Sequence, residues 1–303
     1  FMKLNEAISL FIEHILLRNY SPITVNTYAS ILRRFLELTG NLDIISLSSD
    51  NINHFRLIWL KERKNPRTIN HALIVIRSLL SFLERENIHT LHSRTIDLAK
   101  EEKKKIITLT QEEISKILNT IDTSSLIGIR NRAILELLFS SGIRVSELCS
   151  LNTADLDFAS RSFQVCGKGR KVRTCFFTGE TSKWLYIWLK DRKDHFPALF
   201  VSLSTNFNSK SSYENRGRLS RVSIENIVRD SANRSGIKKL VTPHTCRHTF
   251  STLLLQNGCD LKSLQEFLGH SSLATTETYL HLVPENLRRT YEKYSISSPN
   301  LSK

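Results

Sequence analysis

The sequence predicts a mainly α-helical chain of two domains, an N-terminal helical bundle followed by an α+β domain with a small antiparallel sheet. Three observations support this fold class. Apolar residues recur at helical spacing through the first hundred residues. A charged stretch without apolar residues, 100–105, interrupts that pattern. Two alternating runs, 162–165 and 172–177, then flank a turn that contains two glycines, as in a β-hairpin.

Four amphipathic helices are predicted in the first domain, residues 1–99. The first covers residues 4–17. Ser21 followed by Pro22 is a cap with a first-turn proline, and it begins a second helix of about four turns. Two further apolar series, from Ile52 to Trp59 and from Ile69 to Leu83, follow the turn residues Ser49-Asp50 and Asn65-Pro66. These segments predict a small helical bundle.

A linker is predicted at 100–109, where the charged run lies between two self-contained patterns. The run alone is equally compatible with a solvated helix face. Thr110-Gln111-Glu112-Glu113 follows it and has the form of a capping box at the start of a new helix. The second domain is therefore expected to cover residues 110–303.

The second domain is predicted to be mostly helical. A strand is expected at 199–202 and a mobile loop at 204–217, because that stretch is polar and poor in apolar residues. A last pair of segments is expected around 272–280 and 284–294. The predicted helices are 111–119, 128–140, 145–151, 181–192, 221–234, 245–257 and 261–268.

The charge balance points to a polyanionic partner. Lys and Arg number 43 against 29 Asp and Glu, a formal net charge of +14. This excess creates a positive field that attracts nucleic acid. The basic residues are spread along the chain, which disfavours a membrane surface as the partner. A protein that is merely basic remains the alternative at this point.

The five cysteines occur without C-x-x-C pairs, which indicates free thiols rather than a structural zinc site. No run approaches the roughly 18 apolar residues that cross a bilayer, and no basic-then-apolar segment opens the sequence. We therefore expect a cytoplasmic protein without a membrane partner. Carboxylates and other candidate ligands are too few and scattered to predict a metal site, and no cofactor is expected.

Reactive side chains are densest in Pro243-His244-Thr245-Cys246-Arg247-His248. His244 and Arg247 stand three residues apart and share a face of the helix that they open. Helix starts present free N–H groups and a partial positive charge, so this geometry suits a phosphate. For an isolated H-x-x-R, the more frequent interpretation is a histidine that caps the helix and an arginine that pairs with an acidic neighbour.

A second motif lies downstream, Leu268-Gly269-His270-Ser271-Ser272, with Tyr279 nine residues after its histidine. Together with H-x-x-R upstream, it resembles the motif of the tyrosine recombinase (phage integrase) family. The segment 140–148, which contains Arg144, resembles the family's first catalytic arginine segment, and the hairpin turn 166–171 resembles the one that carries its lysine, here Lys168. Taken alone, Arg144 is interpreted as a surface ion-pair partner of Glu147, and Lys168 is interpreted as a solvated turn residue.

The resemblance covers nearly the whole chain, since residues 20–28 are similar to the opening helices of the Xer branch. It implies a SAM-like core-binding domain followed by a tyrosine-recombinase catalytic domain. Cys246 departs from the leucine that the family most often has there, and the loop 204–217 is longer than a minimal Xer protein needs. The catalytic residues that the resemblance implies are Arg144, Lys168, His244, Arg247, His270 and Tyr279.

The chemistry of phosphodiester cleavage gives these residues roles. Arg144 and Arg247 can donate forked hydrogen bonds to the non-bridging oxygens. Tyr279 is the expected nucleophile, and His244 the expected acceptor of its proton. By resemblance, Lys168 protonates the leaving 5′ oxygen and His270 hydrogen-bonds a phosphate oxygen. Glu147 is expected to orient Arg144.

The resemblance implies double-stranded DNA as the partner, nucleoid association, and a homo- or hetero-tetramer on two recombination sites, with a DNA translocase as a possible regulator. It favours Xer-type resolution of chromosome or plasmid dimers. An integrase or excisionase of a mobile element is the alternative on the same fold. A catalytically silent DNA-binding regulator and a metal-dependent nuclease are the rivals from other classes.

Overall fold

The computed structural model describes residues 2–100, 106–167, 172–203 and 217–269, together with Thr276, Thr278 and Tyr279. The chain divides into two compact units, Phe1–Lys104 and Lys105–Lys303. The mainly helical fold class with a small antiparallel sheet is confirmed. Within the described ranges, no helix combines the length and the apolar character that a membrane span requires.

The N-terminal unit contains the four predicted helices. Ser21 caps α2 by accepting from the N–H of Thr24, and Asn65 caps α4 by accepting from that of Thr68. In both helices a proline occupies the first turn, which the sequence predicts for Pro22. The helices are α1 (Leu4–Leu17), α2 (Pro22–Thr39), α3 (Ser49–Lys61) and α4 (Pro66–Arg85).

Helix α4 is the centre of the N-terminal core. It packs against the other three helices of the unit, and it buries apolar side chains on successive turns, among them Leu73, Ile76, Leu80 and Leu83. At 20 residues it is long enough to touch all of its neighbours. Burying this stripe removes apolar surface from water and holds the bundle together.

The C-terminal unit is built around α6 (Leu126–Ser141), which packs against α8 and α10 and buries most of its length. The Thr110 capping box is present, because the Thr110 hydroxyl accepts from the N–H of Glu113 and the Glu113 carboxylate accepts from that of Thr110. The other helices are α5 (Gln111–Asn119), α7 (Val145–Ser150), α8 (Gly179–Asp191), α9 (Arg221–Arg234), α10 (Pro243–Gln256) and α11 (Leu261–Leu268).

The predicted hairpin forms two strands of a three-stranded antiparallel sheet with the order β1-β2-β3. Strand β2 (Ser162–Cys166) pairs with β3 (Val172–Phe176), and Cys166 is opposite Val172. Phe163 and Val165 of β2 face the core. Strand β1 (Leu156–Asp157) was not predicted, because two residues are too short to show an alternating pattern.

The strand predicted at 199–202 is wrong. The segment is buried but forms only isolated bridges, one at Ala198 and one at Val201. Its backbone bonds singly to several other segments instead of forming one ladder: the N–H of Leu199 donates to Leu151 and the carbonyl of Phe200 accepts from Leu219. The carbonyls of Leu199 and Val201 accept from the side chains of Trp188 and Arg130. A short apolar run between polar residues has the sequence pattern of a buried strand. That pattern does not depend on which hydrogen-bond partners the backbone has in the folded protein.

Several sequence predictions fall outside the described residues. These are the linker's charged run from 101 to 105, the hairpin turn with Lys168, almost all of the loop predicted at 204–217, and His270. The segment predicted at 284–294 lies wholly outside, and that at 272–280 lies outside except for Thr276, Thr278 and Tyr279.

Candidate active site

Helix α10 presents the H-x-x-R motif in its first turns. Thr242 is the N-cap, its hydroxyl accepts from the N–H of Thr245, and Pro243 occupies the first turn. The helix thus begins two residues before the predicted start at 245. His244 is exposed and Arg247 is buried. With spacings of three and four residues, His244, Arg247 and His248 lie toward one side of the helix.

Arg247 joins the ends of two helices. Its Nη1 donates to the carbonyl of Gly142 at 2.7 Å, and its Nη2 donates to the carbonyl of Leu268 at 2.5 Å. Gly142 is the C-cap of α6 and Leu268 is the last residue of α11. Only 5% of the residue is exposed. Burial, together with the charges of Arg144 and Arg173, lowers the pKa of Arg247 to about 10, so it is still a cation at neutral pH.

Arg144 approaches the same place from α7. It is the N-cap of that helix, and its Nη1 donates to Glu147 at 2.9 Å. Its Nη2 lies 3.3 Å from the carbonyl of Gly269, the residue after the one that Arg247 contacts. The two arginines therefore converge on consecutive peptide units. The side chain of Arg144 is 31% exposed, so part of it is open to a ligand.

Glu147 orients Arg144, as the sequence suggests, but its principal partner is a residue that sequence reasoning missed. Arg173 of β3 donates from Nη1 and Nη2 to the two carboxylate oxygens, each at 2.7 Å. Burial raises the pKa of Glu147, but the hydrogen bonds from Arg173 and from the backbone of Arg144 outweigh it, and the pKa is lowered. Glu147 is thus an ionised carboxylate between two guanidinium groups.

A signal for Arg173 was available in the sequence. It alternates with Cys175, so both side chains point to the inner side of β3. A charged residue on the inner side of a strand needs a buried partner. Arg173 also donates from Nε to the carbonyl of Phe267 at 3.0 Å. It therefore connects the hairpin to the end of α11.

Tyr279 lies against α10 with its hydroxyl 2.8 Å from Nδ1 of His248. The residue is only 3% exposed and packs with Leu255, Leu264 and Leu268. Burial raises the pKa of Tyr279, while a hydrogen bond with Ser251 and the charges of Arg247 and Arg144 oppose that rise. The phenol is therefore protonated at neutral pH and lies in the field of both arginines.

His248 is the second residue that sequence reasoning missed, although it directly follows Arg247 in the segment 243–248. Its position four residues after His244 was the available signal, because that spacing puts both rings on one helix face. Burial and the neighbouring His244 and Arg247 lower the pKa of His248. His244 is exposed as a residue, but its ring is partly desolvated, and this desolvation and the charges of Arg221 and Arg247 lower its pKa as well. Both imidazoles are thus neutral near pH 7.

The structure brings four of the six predicted residues into one neighbourhood, namely Arg144, His244, Arg247 and Tyr279. Lys168 and His270 lie outside the described residues. Two guanidinium groups, neutral imidazoles and a phenol can bind an anionic group and deliver an oxygen nucleophile to it. In the part of the chain that is described, no three His, Cys, Asp or Glu side chains are grouped to hold a metal ion.

Comparison with protein families gives two matches that together span most of the chain. The model described as "Phage integrase family" matches residues 108–286. The model described as "Phage integrase, N-terminal SAM-like domain" matches residues 8–87.

Relatives of similar length include two Xer recombinases. The tyrosine recombinase XerC of Anoxybacillus flavithermus is 32% identical over 292 residues, which cover 95% of this chain and 96% of the relative. The tyrosine recombinase XerD of Oceanobacillus iheyensis is 33% identical over 290 residues, 91% of this chain and 93% of the relative. Both alignments run through the two units.

Solved structures agree with these matches. The crystal structure of XerA recombinase is 26% identical, with a TM-score of 0.53, and the match covers 97% of this chain and all of that chain. A Tn1549 transposon integrase in complex with transposon right end DNA has a TM-score of 0.79 over 97% of this chain and 100% of the other. At 19% identity, that likeness concerns the fold alone.

Proposed function

Since the chain belongs to the phage integrase family and is a site-specific recombinase of the Xer type, we propose that it cuts and rejoins DNA strands through a covalent bond between Tyr279 and a DNA phosphate. The observation that carries this proposal is the convergence of Arg144 and Arg247 on the consecutive carbonyls of Gly269 and Leu268. The buried hydroxyl of Tyr279 lies in the field of both arginines.

The reaction begins with a phosphodiester between the two guanidinium groups. A phosphodiester resists attack because it is anionic and its alkoxide leaving group is poor. Arg144 and Arg247 donate to the non-bridging oxygens and stabilise the negative charge that accumulates in the transition state. Arg144 has the exposed surface that this contact needs, and each Nη of Arg247 has a second hydrogen besides the one that it donates to Gly142 or Leu268.

Oη of Tyr279 then forms a bond to phosphorus while the bond from phosphorus to O5′ breaks. The phenolic proton passes to a base of the site, and Lys168 protonates the departing 5′ oxygen. His270 hydrogen-bonds a phosphate oxygen. The product is a 3′-phosphotyrosyl bond with an energy close to that of the bond broken, so a free 5′ hydroxyl of another strand reverses the step without ATP.

The partner is double-stranded DNA, and the formal charge of +14 favours its approach. Four copies, identical or of two kinds, assemble on two recombination sites. The biological role is resolution of chromosome or plasmid dimers, by a protein associated with the nucleoid. Support for this role comes from the relatives at 32% and 33% identity, which are XerC and XerD. The transposon integrase shares only the fold.

The experiment is covalent trapping on nicked suicide duplexes made from the DNA of the source organism, in buffer with EDTA. We expect the wild-type protein to form an adduct that survives SDS. Tyr279→Phe should bind the same duplexes and trap none, and Arg144→Ala should lose trapping with a milder loss of binding. Cleavage that needs a divalent metal and leaves no adduct indicates a nuclease. Binding without cleavage by the wild-type protein indicates a silent regulator.

A further inference from the structure

We propose that His248, and not His244, takes the proton of Tyr279 when the hydroxyl attacks the phosphate. This inference rests on the proposed function and names the base that the reaction requires. It assigns separate tasks to two histidines that one turn of α10 separates.

The contact between the two side chains is direct. Nδ1 of His248 lies 2.8 Å from the hydroxyl oxygen of Tyr279, a normal hydrogen-bond distance. The ring centroids are 5.6 Å apart with the planes inclined at 54°. The hydroxyl is thus within hydrogen-bond reach of a ring nitrogen, which a base needs to receive a proton.

The burial of the phenol makes an adjacent base necessary. Tyr279 is 3% exposed, within an apolar cluster formed by α10 and α11. A phenol in such a place exchanges its proton slowly with bulk water, and leaving the proton in place suppresses the nucleophile. The base must therefore be within hydrogen-bond reach, where His248 is.

The protonation states of the pair are suited to the transfer. Burial and the nearby Arg247 and His244 lower the pKa of His248, so its ring is neutral and accepts a hydrogen bond from the phenol. The charges of Arg247 and Arg144 favour the phenolate and oppose the effect of burial on Tyr279. The same charges make the protonated imidazole a strong acid, which suits the reverse step.

The bond from Oη of Tyr279 to phosphorus forms as the bond from phosphorus to O5′ breaks, and the phenolic proton moves to Nδ1 of His248. Lys168, the proposed acid, supplies one proton to O5′. In strand joining the incoming 5′ hydroxyl forms the new bond to phosphorus and gives its proton to the lysine, while His248 returns its proton to the phenolate of Tyr279.

His244, which the sequence suggests as the acceptor of that proton, has a different task in this scheme. It is exposed in the first turn of α10, next to the free N–H groups of the helix start. That position suits a hydrogen bond to a phosphate oxygen. A loss of His244 therefore weakens contact with the phosphate, whereas a loss of His248 removes the acceptor of the nucleophile's proton.

The test compares single-turnover cleavage of a duplex that the wild-type protein cleaves. His248→Asn places an amide oxygen near the position of Nδ1, which accepts a hydrogen bond but takes no proton. We expect cleavage to slow about 100-fold or more with binding unchanged. His244→Asn is the matched control, and His248→Gln is the second variant in case Asn disturbs the fold, which DNA binding reports.

Two chemical substitutions separate a base from a merely structural residue. A fluorinated tyrosine at position 279, with its more acidic phenol, should restore the rate of His248→Asn by about ten-fold or more and should change His244→Asn much less. A 5′-bridging phosphorothiolate supplies a sulfur leaving group that needs no proton. It should rescue Lys168→Ala and leave His248→Asn slow.

Cleavage by His248→Asn or His248→Gln at the wild-type rate overturns the assignment. So does an absence of rescue by fluorotyrosine in variants that still bind the duplex, or a rescue of His248→Asn by the phosphorothiolate. A wild-type protein that forms no adduct, or an adduct that Tyr279→Phe still forms, defeats the proposed function itself, and the two failures are thereby distinguishable.

Discussion

The guanidinium of Arg173 donates two hydrogen bonds of 2.7 Å to the two carboxylate oxygens of Glu147, 26 residues earlier in the chain. The side chains are 9% and 6% exposed. Because Glu147 also holds Arg144, the hairpin strand β3 supports one of the two arginines of the site. Arg173, for which the sequence predicted no role, thus helps to determine the position of Arg144, which is central to the site.

Arg173→Ala should destabilise the protein by about 3 kcal/mol, because it leaves Glu147 in a buried place without its main partner. Denaturant unfolding measures this loss. Lys183→Ala in the exposed pair with Glu180 is the control and should leave stability nearly unchanged. Arg173→Lys should recover only part of the loss, since an ammonium lacks the two-pronged geometry. Equal stability of Arg173→Ala and the wild type would contradict this structure of the site.

Glu147→Gln should reveal the pH dependence of this network. The pKa of Glu147 is lowered in the folded protein, so ionisation stabilises the fold fully above the ordinary carboxyl pKa of about 4.3. That contribution is lost as the pH falls through the lower pKa of the folded state. The stability difference between wild type and Glu147→Gln should therefore be largest near pH 7 and shrink below pH ~4. Thermal unfolding midpoints across this range measure it, and a difference that does not vary with pH speaks against the ionised pair.

Gly269→Ala tests the close approach between α11 and Arg173. Gly269 has φ of +61°, and a Cβ there would lie 2.7 Å from Cδ of Arg173. Gly236 has φ of +75° and nothing within 4 Å of such a Cβ, so Gly236→Ala measures backbone strain alone. We expect Gly236→Ala to lower the free energy of unfolding by about 1 kcal/mol. Gly269→Ala should lower it further and should also impair covalent trapping. Equal losses with full trapping in both variants would refute the contact.

Arg247→Lys should abolish covalent trapping although the charge is kept. A lysine reaches only one of the carbonyls of Gly142 and Leu268, which leaves the other buried and unsatisfied at a cost of about 1–3 kcal/mol. Arg130→Lys is the control, since Arg130 is also buried in the same unit but donates to Val201 and Asn131. Arg130→Lys should lower the free energy of unfolding, but the folded variant should still form the covalent adduct with DNA. Normal trapping by Arg247→Lys is the result that counts against the proposed role of Arg247.

Local sequence pattern predicted most of the helices because their causes are local. Apolar spacing and capping residues such as Ser21, Asn65 and Thr110 act within a few residues of the helix start, and their hydrogen bonds are present. Pattern failed at 199–202, where the backbone bonds to single backbone groups of other segments and to the side chains of Arg130 and Trp188. Which donors a buried carbonyl meets depends on packing between elements, and a periodic pattern does not encode it.

The sequence by itself determined the fold class, the hairpin and the order of the chemical residues, because helical periodicity, alternation and short motifs are properties of neighbouring residues. Only the tertiary structure decided which partners those residues take. His248 meets Tyr279 across 31 positions, and Arg173 meets Glu147 across 26. Such pairs form where buried polar groups must find a partner once the apolar surfaces have packed, and packing brings together residues that the chain itself keeps apart.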